Sequence, residues 1–158
     1  MKTIVISGSH SNIGKTSLAE RFIRILPNWS ALKITVVRKS SRCPRDVDCG
    51  VCSKLKGDFD IVSEAKIINE KHTDTCRMKK AGAKKVIWLK ASLKGLKEGL
   101  KKALYRLRDS EGVVIESTTV LKYIKPNLAI YLKGNAKRPK PSSSIAQKKA
   151  DIIINVGR

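Results

Sequence analysis

Residues 1–18 read MKTIVISGSHSNIGKTSL, and the order of residue types in this stretch decides the architecture. Ile4, Val5 and Ile6 form a β-branched run of the kind that makes a buried strand. The run breaks at Gly8-Ser9-His10-Ser11-Asn12-Ile13-Gly14-Lys15-Thr16-Ser17, after which Leu18, Ala19, Phe22, Ile23 and Leu26 recur on one side of a helix. Strand, glycine-bounded loop, Gly-Lys-Thr and helix is the context of a phosphate-binding loop. Glycines let the backbone curl so that successive N–H groups point inward, and the helix N-terminus adds the positive end of its dipole. On this reading Gly8, Ser11, Asn12, Ile13, Gly14, Lys15, Thr16 and Ser17 hold a nucleotide. Lys15 reaches the β- and γ-phosphates, and the Thr16 hydroxyl ligates Mg²⁺. A chance Gly-Lys-Thr in an ordinary strand–helix turn is the alternative, and the flanking strand and helix argue against it.

The remainder of the chain alternates strand-like and helix-like segments. Leu32–Arg38 is a near-continuous apolar run, as in a parallel strand covered on both faces. Phe59–Ile68 reads as weakly alternating strand, antiparallel to the main sheet. Asp74–Ala81 is a short helix, with Thr73 or Asp74 as N-cap and Gly82 at its end. Lys85–Lys90 is a strand. Leu93, Leu96, Leu100, Leu104 and Leu107 have the three-four spacing of a helix that covers a core. Gly112–Ser117 is a buried strand, followed by a short helix over Thr118–Ile124. Leu128–Leu132 is a further strand, Ser142–Ala150 a helix, and Asp151–Val156 the strand that closes the sheet. Such alternation implies right-handed βαβ units, hence an α/β three-layer fold of the P-loop type, mostly parallel with helices on both faces. The 158 residues are expected to form one domain, 1–158, carrying a cysteine-containing insertion loop at about 39–58.

Charge is strongly one-sided, with 34 Lys and Arg against 13 Asp and Glu, a formal net charge of +21. Such a surface attracts anions: nucleotide, an anionic small-molecule substrate, an acidic protein partner, or nucleic acid. Aromatic residues are 4% of the chain, too sparse for stacking on single-stranded bases, so nucleic acid is the less favoured partner. No run of eighteen apolar residues exists, so no membrane span is expected. The N-terminus lacks the pattern of a signal peptide, so a cytoplasmic protein is expected.

A phosphate loop requires a second acidic ligand at the end of a neighbouring strand to hold Mg²⁺ and its water. Glu116, ending the strand Gly112–Ser117, meets that need, against the alternative of a strand-end glutamate facing solvent. Asp74 is either a plain helix cap or a further carboxylate near the γ-phosphate. The glycine that opens the loop is Gly8, one residue earlier than the usual spacing, where Ser9 stands instead. This longer form resembles the loops of dethiobiotin synthetase and the cobyrinic-acid amidotransferase group, members of the SIMIBI class of P-loop proteins. The segment Asp74-Thr75-Cys76-Arg77-Met78-Lys79-Lys80-Ala81-Gly82-Ala83 and the strand ending in Glu116 are similar to the MobB family of molybdopterin-guanine dinucleotide synthesis. That resemblance implies Asp74 near the γ-phosphate or a metal-bound water, Arg77 on an anion, and Glu116 in the Mg²⁺ shell. It also places base contacts in the loop Lys133–Pro141, where Asn135 can read a purine edge. ATP and GTP are not distinguished, and dimers are common in the class.

Cys43-x5-Cys49-x2-Cys52, with Cys76 downstream, adds four thiols outside the usual nucleotide machinery. The two-residue gap aims both thiolates at one metal, and four cysteines supply a tetrathiolate set for Zn²⁺ or a [4Fe–4S] cluster. Disulfides and unpaired thiols are the alternatives. Three functional classes follow. The first is a nucleotide-binding NTPase resembling MobB, in molybdenum-cofactor or related cofactor synthesis, whose cysteine loop carries a metal. The second is a small-molecule kinase or ATP-dependent ligase resembling dethiobiotin synthetase. The third is a nucleotide-regulated nucleic-acid-binding protein.

Overall fold

The computed structural model describes residues 1–37, 55, 57–135 and 141–157. At its centre lies a seven-stranded sheet of β1 (Lys2–Gly8), β2 (Trp29–Val36), β3 (Phe59–Val62), β4 (Val86–Ala91), β5 (Gly112–Glu116), β6 (Leu128–Lys133) and β7 (Ile152–Asn155). The spatial order is β3-β4-β2-β5-β1-β6-β7. Each adjacent pair is parallel except β3, which runs antiparallel to β4 at one edge. Between the strands run α1 (Lys15–Ile25), α2 (Ala65–Ile68), α3 (Asp74–Lys80), α4 (Leu96–Arg106), a 3₁₀ turn over Val120–Lys122, and α5 (Pro141–Lys148).

Period-two alternation along the strands divides the core in two. On one face Val5, Leu32, Ile34, Leu89, Val113 and Ile115 pack with Leu96, Leu100 and Ala103 of α4, Val120 and Leu121, and Ala146 of α5. On the other face Ile4, Ile6, Ala31, Val86 and Val114 pack with Ala19 and Ile23 of α1, Ile68 of α2 and Met78 of α3. The result is a three-layer α/β architecture with a mostly parallel sheet, as the alternating pattern predicts. No helix among the described residues is long and apolar enough to cross a membrane.

Several element bounds differ from the sequence reading, each for a local reason. β2 starts at Trp29 rather than Leu32, because Asn28 takes a left-handed backbone (φ 61°) and turns the chain straight into the sheet. The stretch 59–68 splits into β3 and α2, with Glu64 as the N-cap between them. α4 begins at Leu96, since the Ser92 hydroxyl accepts from the Gly95 amide at 3.0 Å and holds residues 92–95 as a turn. The helix expected over Thr118–Ile124 is only a 3₁₀ turn. Its leading Thr118-Thr119-Val120 is β-branched, and the Thr118 hydroxyl is committed to the backbone of Gly8. β7 is shorter than Asp151–Val156 and pairs with β6 at the sheet edge, where its four residues are exposed. The proposed insertion at 39–58 falls mostly outside the described residues, as do Cys43, Cys49 and Cys52.

Candidate functional site at the carboxyl ends of the central strands

β1 and β5 are adjacent and parallel, so the loop leaving β1 and the carboxylate ending β5 emerge side by side; Ile6 is in register with Glu116. This is the end of a parallel sheet at which α/β proteins place ligands. From Gly8 the chain bends through residues 9–14 and enters α1 at Lys15. Gly14 caps that helix with φ 101°, a left-handed backbone that suits glycine. Gly8 is needed for a different reason: a Cβ there would meet Ile13 Cγ2 at 2.8 Å and the Leu132 carbonyl oxygen at 3.3 Å. The displaced first glycine is thus the place where the loop folds back onto Ile13 and β6.

Ser9, in the position a glycine usually holds, is buried and tied down. Its amide donates to the Leu132 carbonyl at 3.0 Å, and its hydroxyl accepts from the Gly134 amide at 3.1 Å. Thr118 closes the other side, accepting from the Gly8 amide at 3.3 Å and donating to the Gly8 carbonyl at 3.2 Å. Lys15 Nζ curls over the loop and donates to the His10 carbonyl at 2.7 Å. Ser11 and Asn12 are exposed at the loop crest, and Asn12 also has positive φ, at 62°. Asn135 is exposed just beyond β6, next to the Gly134 amide that holds Ser9. The basic residues Lys137, Arg138 and Lys140 of the same loop lie outside the described residues.

Behind the loop, three of the predicted residues converge. The Thr16 hydroxyl lies 3.0 Å from Asp74 Oδ1 and 2.9 Å from Glu116 Oε2. One hydroxyl proton serves two carboxylate oxygens, so the Thr16 oxygen is pulled into an oxygen cluster rather than satisfied by a single partner. The cap question at Asp74 is resolved by its neighbour: the Thr73 hydroxyl accepts from the Cys76 amide at 3.2 Å, which leaves the Asp74 carboxylate for Thr16.

The fourth member was missed in the sequence. Lys33 stands on β2, in register with Glu116 on β5, and its Nζ lies 2.6 Å from Asp74 Oδ2 and 2.6 Å from Glu116 Oε1. Leu32 and Ile34 belong to the α4 side of the core, so Lys33 faces the α1 and α3 side, where the carboxylates are. The available signal was a lysine inside an otherwise apolar strand, since lysines are almost never fully buried without a partner.

Burial alone would lower the Lys33 ammonium, but the charges of Glu116 and Asp74 and their hydrogen bonds outweigh it and raise its pKa above 10.5. Burial alone would raise the Asp74 carboxyl; the Lys33 charge, together with hydrogen bonds from Lys33 and Thr16, holds it below 3.8 instead. Arg77 pairs with Glu20 Oε2 at 2.6 Å and donates to the Ser17 hydroxyl at 2.9 Å, pinning α3 to α1. Arg77 and Ser17 are thereby committed to each other across the two helices.

The donor set fits Mg²⁺. Thr16, Asp74 and Glu116 offer hard oxygens, and Asp74, at 38% exposed, opens the cluster to water that such an ion retains. Cys76, the fourth thiol of the expected set, is buried on α3 and free. Among the described residues no group of three or more His, Cys, Asp and Glu is arranged to hold a metal. Comparison with protein-family models, with curated proteins and with solved structures returned no match.

Proposed function

We propose that the chain binds a Mg²⁺–nucleoside triphosphate on the loop 8–17 and acts on its γ-phosphate as a slow NTPase. The observation that carries this reading is the convergence of Thr16 with Asp74 and Glu116 directly behind a glycine-capped loop whose lysine arches back over it. Backbone N–H groups of residues 13–16 and the α1 N-terminus supply the phosphate cradle. Lys15 exchanges the His10 carbonyl for phosphate oxygens, a stronger, charge-assisted partner. Mg²⁺, when bound, neutralises charge that builds on the phosphates during transfer. Asp74, the more exposed carboxylate, orients a water towards the γ-phosphorus. That water bonds to phosphorus, the bond to the β–γ bridging oxygen breaks, and nucleoside diphosphate and phosphate leave. The resemblance to MobB supports a place in cofactor synthesis, with the cysteine loop as the element that meets the partner or cofactor.

Calorimetry of ATP and GTP binding to the wild type and to Lys15→Ala tests this. A charge-assisted contact of about 1.5–3 kcal/mol corresponds to about a 10- to 150-fold loss of affinity. Equal affinity in the two proteins would refute the assignment. Turnover that a carboxylate- or hydroxyl-bearing metabolite stimulates would assign transfer to that acceptor in place of hydrolysis. Binding of nucleic acid with a steep salt dependence and no binding of nucleotide would overturn the reading.

A further inference from the structure

Asp74 and Glu116 are each held twice. One oxygen of each lies against the Thr16 hydroxyl, at 3.0 and 2.9 Å, and the other against Lys33 Nζ, at 2.6 Å in both cases. Thr16, Asp74, Lys33 and Glu116 therefore form a closed ring in which the ammonium already supplies the positive charge that the carboxylates require. We propose that Lys33 makes metal binding at this site conditional on nucleotide, by holding the carboxylate pair against free divalent cation and yielding it to a cation that arrives with phosphates. This inference rests on the nucleotide reading above.

Asp74, Glu116 and Lys33 together carry a net charge of −1, with Glu116 3% and Lys33 19% exposed. A bare divalent cation entering beside Thr16 meets the ammonium across the same two carboxylates, and partly buried charges this close are screened far less than exposed ones. It must also shed part of a firmly held water shell. A triphosphate changes both terms, because its oxygens complete the cation's coordination and its negative charge compensates both cations at once. Nothing in the strand has to move for the exchange. Lys33 is anchored on β2 by regular pairing with β4 and β5, and its flexible four-carbon stem lets the head group swing alone. The strand supplies a fixed base and the side chain the moving part.

Mn²⁺ serves as the probe, its free concentration read by electron paramagnetic resonance, with no nucleotide present. Lys33→Met keeps the length of the side chain and removes the charge. It is expected to bind one Mn²⁺ at least tenfold more tightly than the wild type, while Lys33→Arg, which keeps the charge, stays at the wild-type level. Wild type and Lys33→Met binding Mn²⁺ equally would overturn the proposal. A second measurement needs no variant. Acylation of the Lys33 amine in the wild type, quantified by mass spectrometry, is expected to stay low with Mn²⁺ alone and to change once Mn²⁺ and ATP or GTP are added together. The same reactivity in both conditions would overturn the proposal even where Lys33→Met does not fold. A wild type that binds no nucleotide would refute the proposed function instead, and the nucleotide-free Mn²⁺ titration of the two proteins would still report whether Lys33 excludes the cation.

Discussion

Replacing Glu116 by Gln removes one negative charge from the ring and nearly nothing else. Glu116 is 3% exposed, and its oxygens lie 2.6 Å from Lys33 Nζ and 2.9 Å from the Thr16 hydroxyl. Leaving a buried charge wholly without its partner costs about 3–5 kcal/mol. Lys33 keeps Asp74, however, and the Gln carbonyl still accepts a hydrogen bond. The loss is then close to the difference between a charged and a neutral hydrogen bond, about 1–2 kcal/mol. For a chain of this length each kcal/mol moves the Tm by about 2–4 °C, so a fall of roughly 2–8 °C is expected. Circular-dichroism melting in metal-free buffer measures it. The double variant Asp74→Asn, Glu116→Gln sharpens the point, because it strips Lys33 of both carboxylates. Its loss should exceed the sum of the two single losses by about 1–3 kcal/mol. An unchanged or higher Tm in Glu116→Gln, or strict additivity in the double variant, would refute the ring.

Two further outcomes follow from the same geometry. The folded-state pKa of Asp74 is lowered, so its contribution to stability is present above the usual carboxylate range and is lost as pH falls through the lowered value; Lys33, with a raised pKa, contributes below pH 10.5 and loses that contribution as pH rises through its folded value. The Tm difference between wild type and Asp74→Asn should therefore shrink below about pH 4, and a difference that stays constant down to pH 2 would contradict the pairing. Gly8→Ala places a methyl 2.8 Å from Ile13 Cγ2 and 3.3 Å from the Leu132 carbonyl. An overpacking cost of about 1–3 kcal/mol in Tm measurements is expected, together with weakened nucleotide binding, and wild-type behaviour in both would refute the close approach.

Much of this was legible in the sequence because the signals were local. The loop 8–17 announced itself through glycine positions and its flanks, and the structure adds why the first glycine is displaced: Ile13 and Leu132 leave no room for a Cβ at residue 8. Glu116 was found from its place at the end of a buried strand. Asp74 was ambiguous because a cap and a site carboxylate use the same residue type, and the Thr73 hydroxyl on the Cys76 amide shows that the cap is Thr73. Lys33 stood out only as a lysine in an apolar strand; its partners were hidden because they depend on register, with β2 beside β5 and α3 delivering Asp74 from 41 residues away. The Arg77 partner was hidden for a related reason, since Glu20 belongs to another helix. The 3₁₀ turn at Val120–Lys122 departs from the expected helix because the Thr118 hydroxyl is held by Gly8 of the loop after β1.

We propose loop 8–17, with Thr16, Asp74 and Glu116 behind it, as a Mg²⁺–nucleotide site. Titration calorimetry of the wild type with ATP and with GTP, each with and without Mg²⁺, tests it most directly. Saturable binding of one nucleotide per chain, tightening when Mg²⁺ is present, is expected. No binding of either nucleotide at millimolar concentration, or binding indifferent to Mg²⁺, would contradict it.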